Sequence, residues 1–115
     1  MVTYTINGPI LEITLEGSYT TQEIADVVIA AKADPALPLP LLLLSDFRES
    51  LLTPSFTDMG ARFRLIQDLA PTRVAMVVSG VARERLARIY QTRATDSGLQ
   101  IEVFSDLQAA RDWLH

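Results

Sequence analysis

Apolar and polar residues alternate strictly over Leu11–Glu16, with Leu11, Ile13 and Leu15 on one side and Glu12, Thr14 and Glu16 on the other. A period of two marks a strand with one buried face, and it predicts a strand over Ile10–Leu15. Thr3–Ile6 predicts a partner strand across Asn7-Gly8, a favoured tight-turn pair. Thr20-Thr21-Gln22-Glu23 then reads as a capping box, in which a hydroxyl and a carboxylate satisfy each other's backbone donors. Ile24, Val27, Val28 and Ala31 follow at helical spacing, and Asp34-Pro35 ends that helix. Leu39–Leu44 has no polar face, which suits a central strand covered on both sides.

The same pattern repeats toward the C-terminus. A helix is expected over about Pro54–Leu69, with Phe56, Met59, Phe63 and Ile66 as its apolar stripe. Arg73–Ser79 is the next strand, and Gly80 turns the chain into a helix near Ala82–Thr95 with Leu86, Ile89 and Tyr90 inward. Leu99–Phe104 is the last strand. Ser105-Asp106-Leu107-Gln108 reads as a second capping box, opening a helix that turns Leu107, Ala110, Trp113 and Leu114 inward. The order is β-β-α-β-α-β-α-β-α. It predicts an α/β fold with a single mostly parallel five-stranded sheet, one antiparallel strand, and helices packed on it.

Composition narrows the chemistry. The 115 residues include no cysteine, which excludes disulfides and thiolate metal sites. The single histidine is His115, so histidine catalysis or zinc binding would rest on a chain end. No metal or other cofactor is expected. The net charge of −4 argues against nucleic-acid binding, which needs a cationic face. No apolar run approaches the ~20 residues that cross a bilayer, so stable membrane insertion is not expected. Met1-Val2-Thr3-Tyr4-Thr5 lacks a basic region followed by an apolar one, so no signal peptide is expected and a cytoplasmic location is.

In an open parallel sheet, ligands bind beyond the carboxyl ends of the strands. Three predicted strands end in polar residues, at Ser45-Asp46-Phe47-Arg48, Ser79-Gly80 and Ser105-Asp106. Asp46 and Arg48, beside Ser45, either position a polar ligand or partner charge, or form a local loop contact. Ser79 and Gly80 precede a helix N-terminus that favours anions, with Arg83, Arg85 and Arg88 following. The alternative there is a glycine turn and a solvated face. Leu51, Leu52 and Phe56 form either an exposed partner or membrane surface, a lid over an apolar pocket, or ordinary packing against the sheet. Glu12 and Glu16 share a strand face, and an exposed polar face is the simplest reading of them.

The order and its landmarks resemble the STAS-fold proteins, specifically the SpoIIAA-like family of small stand-alone domains. The matching residues are the Leu11–Gly17 strand leading into Ser18-Tyr19-Thr20, the Leu41–Arg48 strand ending in Asp46-Phe47-Arg48, and the closing segment from Val103 to Trp113-Leu114. The resemblance covers nearly the whole chain and implies one STAS-like domain over residues 1–115. It implies a non-catalytic regulatory or protein-interaction module rather than an enzyme. Anti-sigma-factor antagonists of this fold carry a phosphorylated serine just after the central strand, in an Asp-Ser-x-Gly setting. Here Asp46 is followed by Phe47-Arg48, so a module without that switch is expected. Ser55 and Thr57 lie near where the switch would fall and are the candidate phosphosites. The expected partner is another protein or a second copy of the chain, as a homodimer. The competing reading is a carrier or sensor of a small apolar, lipid-like or anionic ligand.

Overall fold

In the computed structural model, β1 (Val2–Asn7) and β2 (Ile10–Leu15) pair antiparallel, with Tyr4 opposite Ile13. The turn between them uses Gly8 at φ 59°, a left-handed conformation that glycine adopts without strain. The structure describes residues 1–51, 56–96 and 98–115, and only the backbone of residues 56–59, 82, 83, 86, 90, 93 and 94. The described residues continue through α1 (Thr21–Ala33), β3 (Leu42–Asp46), α2 (Phe56–Leu69), β4 (Arg73–Val77), α3 (Val81–Asp96), β5 (Ile101–Phe104) and α4 (Leu107–Leu114). The five strands lie in the order β1-β2-β3-β4-β5, and β2 to β5 run parallel. This is the mixed α/β sheet that the alternation predicts.

Each parallel connection joins neighbouring strands, so crossovers of one hand place their helices on one face. Side chains of α1, α2 and α3 accordingly share a core with Leu11, Ile13, Leu43, Val74, Met76 and Val103. The opposite face is covered by α4, whose Ala110 and Leu114 pack against Ile10, Leu44, Ala75 and Val77. Trp113 closes the edge of this second core against Phe104, with ring centroids 5.8 Å apart.

The ends of α1 follow the sequence. Thr20 Oγ1 accepts from Glu23 N–H at 3.1 Å, and Glu23 Oε1 accepts from Thr20 N–H at 3.3 Å. Ile24, Val28 and Ala31 are buried, and Tyr4 Oη donates to Asp34 Oδ2 at 2.8 Å, tying the end of the helix to β1.

Three expectations need correction. The central strand is Leu42–Asp46 rather than Leu39–Leu44, and Leu39 is 80% exposed. Pro38 and Pro40 have no N–H for a ladder, so pairing starts beyond them and runs on through Ser45 and Asp46. Ile89 points outward at 46% exposure, and Ala87 is the buried residue of that turn of α3. The cap of α4 is Asp106, one residue later than the predicted box, and its Oδ2 accepts from Ala109 N–H at 2.9 Å. The expected stripe residues Phe56, Met59, Leu86 and Tyr90 have side chains outside the described set.

Leu44 is fully buried between the two adjacent strands and α4, so Leu44→Ala should cost about 2–5 kcal/mol in a urea melt. Leu39→Ser should stay within about 0.5 kcal/mol of the parent. Equal losses from the two substitutions would place the strand where the apolar run alone suggests.

Candidate functional site

Strand alternation divides the residues at the end of β3 between the two faces of the sheet. Ser45 lies on the α1–α3 face and is 5% exposed. Asp46 lies on the α4 face, opposite Thr14 of β2 and Val77 of β4. The chain then turns sharply. Phe47 N–H donates to Val77 O at 2.8 Å, and Ser50 N–H donates to Phe47 O at 3.1 Å.

The turn is clamped from both sides. On the β2 side, Gly17 N–H donates to Glu49 O at 2.8 Å and Leu51 N–H donates to Gly17 O at 3.1 Å. Tyr19 Oη and Ser50 Oγ share a buried hydrogen bond of 2.7 Å. On the β4 side, Ser79 Oγ donates to Arg48 O at 3.0 Å. The polar residues at the ends of β3 and β4 therefore meet, as parallel strands require. The Ser79 hydroxyl is engaged there with backbone, and Gly80 forms the turn at φ 87°.

Asp46 and Arg48 face each other. Asp46 Oδ1 accepts from Arg48 N–H at 3.1 Å and from Arg48 Nε at 3.0 Å, and Oδ2 accepts from Nη2 at 2.9 Å. Burial opposes ionisation of Asp46. The Arg48 hydrogen bonds and the Arg48 and Arg111 charges outweigh it, holding the carboxyl below the usual aspartate range.

A second ion pair stands beside the first. Arg111 of α4 donates to Glu12 of β2 through Nε at 2.9 Å and Nη2 at 2.8 Å, and Asn7 Nδ2 adds a third bond at 3.1 Å. The Arg111 hydrogen bond lowers the Glu12 pKa against the effect of burial. The simple reading of Glu12 as a solvated strand residue is thus overturned, since its side chain is only 12% exposed. Its partner lies 99 residues away, and no local spacing announces it.

This arrangement suits holding rather than proton transfer. Both carboxylates are kept ionised, and guanidinium groups do not deprotonate at neutral pH. None of these four groups is tuned toward neutrality, where a general acid or base works best. Among the described residues, no three His, Cys, Asp or Glu side chains gather to hold a metal ion.

The apolar members separate. Leu51 stands out from the rim at 73% exposure, and Val81, at the start of α3, at 68%. The expected contributions of Leu52, Ser55 and the side chains of Phe56, Thr57 and Arg83 lie outside the described residues. Arg88 turns away from the rim, donating to Gln91 at 3.2 Å and to Glu102 at 3.3 Å.

The Glu12 pKa is lowered in the folded state, so its pair contributes fully above the ordinary glutamate value of about 4.3. That contribution fades as pH falls through the folded value. Glu12→Gln should therefore lose about 1–3 kcal/mol at neutral pH, read from urea melts. The gap to the parent should shrink in acid, and a gap independent of pH would count against the pairing.

No protein-family model matches the chain, and no curated protein matches it. The fold does have a solved relative. It is an uncharacterized protein from the DUF3478 family, with a SpoIIAA-like fold, from Shewanella loihica PV-4. Identity is 19%, the TM-score is 0.69, and the match covers 100% of this chain and 93% of the other. Likeness at that identity speaks for architecture alone, and with the observed strand order it shows that this chain has a SpoIIAA-like fold of STAS type.

Proposed function

We propose that this chain is a non-catalytic interaction module that meets a protein partner at the carboxyl-end rim of its sheet. One observation carries the reading. Leu51 and Val81 stand exposed at a rim whose charged groups are largely spent on one another. Exposed apolar anchors set among satisfied polar groups are the anatomy of a protein interface. A site for acid–base chemistry would instead keep a group available for proton transfer.

The module works without a phosphoserine directly after β3, where the chain has Asp46-Phe47-Arg48. The clamped turn favours rigid docking, because Gly17, Tyr19 and Ser79 already fix the backbone that carries Leu51. A partner then pays little to order this part of the surface. Among the described residues, no helix is long and apolar enough to cross a membrane.

A photo-crosslinking residue placed at position 51 or 81 should yield a discrete protein adduct in cells. The adduct mass will distinguish a second copy from another protein. The control is position 29, where Ile29 is 64% exposed on α1. Adducts from position 29 equal to or exceeding those from 51 and 81 would refute the rim as the contact surface.

A further inference from the structure

Arg62 of α2 differs from four arginines that are tied to protein oxygen atoms. Arg48, Arg73, Arg88 and Arg111 all donate to oxygen atoms of the protein. Arg62 lays its guanidinium over the Tyr19 ring, with Cζ 5.2 Å from the ring centroid. Its Nε is closed off from solvent and has no hydrogen-bond partner among the described residues. A buried donor left unmade costs about 1–3 kcal/mol, and more when the group is charged. A native structure that keeps such a donor calls for a reason.

The surroundings supply one. The Tyr19 side chain is buried at 6% exposure, and its hydroxyl is fixed by the 2.7 Å bond to Ser50 Oγ. The ring is therefore a rigid platform, and the guanidinium on it is oriented before any ligand arrives. Stacking uses the flat face of a guanidinium. Its N–H donors lie in the plane and point outward, matched to a planar or tetrahedral oxyanion. Ser50, which bonds the Tyr19 hydroxyl, is followed directly by the exposed Leu51, so the stack is linked through Tyr19 and Ser50 to an apolar anchor of the rim.

We infer that Arg62, stacked on Tyr19, is the rim's anion-recognition point and binds an oxyanion, either a carboxylate or a phosphate. The location beside a partner surface rests on the proposed function, whereas the anion chemistry does not. An arriving oxyanion would accept from the outer Nη donors of the guanidinium, and these charge-assisted bonds would offset the cost of the unmet Nε donor.

The test is a 1H–15N NMR titration of the full chain at constant ionic strength, first with sodium phosphate and then with sodium acetate. The Arg62 Nε–Hε signal should move saturably, while those of Arg48 and Arg111 stay in place. Arg62→Gln should raise the concentration that half-saturates the Gly17 and Leu51 amide shifts by about tenfold or more. Tyr19→Phe keeps the ring and should retain binding. Arginine signals that drift together without saturation, or an unchanged curve in Arg62→Gln, would overturn the proposal. Phosphate that suppresses crosslinking from position 51 identifies a partner-borne anion, and crosslinking unaffected by phosphate identifies a free one. Saturation at Arg62 without any crosslink at 51 would retain the anion site and remove the partner reading. Crosslinking at 51 without saturation would do the reverse.

Discussion

Parallel pairing of β3 with β2 on one side and β4 on the other governs the rest of this molecule. A strand paired on both edges has its backbone donors and acceptors satisfied, so it can be buried on both faces at little polar cost. Its side chains then divide by parity. Leu43 and Ser45 lie under the layer of three helices, and Leu42, Leu44 and Asp46 lie under α4. Because pairing continues to Asp46, the two polar residues that end the strand are sent to opposite faces. Only Asp46 reaches the charged cluster.

The two faces are unequal, and that inequality makes the cluster. Three helices cover one side, while the other has only the eight-residue α4 centred over β3, β4 and β5. Beyond Ile10, which packs under α4, the β2 positions on that face are Glu12 and Thr14 rather than aliphatic residues. Arg111 reaches from α4 to Glu12, which fixes the helix over the sheet. Asp46 and Arg48 close the neighbouring corner. These pairs and the backbone clamps at Gly17 and Ser79 hold the turn after β3 from several directions. A turn held in this way, with internally matched charge, suits the docking surface we propose.

Much of the architecture was legible in local chemistry. Alternation over Leu11–Glu16 fixed β2 and its buried face, and the Thr20–Glu23 box fixed the start of α1, because each depends only on neighbours in sequence. The central strand was displaced because hydrophobicity does not register a missing N–H. Leu39 is as apolar as Leu43, yet the prolines beside it keep it out of the ladder. Ile89 misled for a related reason, since helical spacing fits either Ile89 or Ala87 inward and packing selected the smaller residue. The site was legible only in part. Asp46, Arg48 and Ser79 follow from where strands end. The Glu12–Arg111 pair and the Arg62–Tyr19 stack are tertiary contacts between distant segments, and only the assembled sheet reveals them.

The proposed function rests on the carboxylates of the rim being locked in ion pairs rather than held ready for proton transfer. Carboxyl 13C NMR of Glu12 and Asp46 across a pH titration tests it most directly. Both groups should titrate below their ordinary ranges, in keeping with the lowered pKa of each. Titration of either one near neutrality would expose a tuned acid or base at the rim and contradict the account.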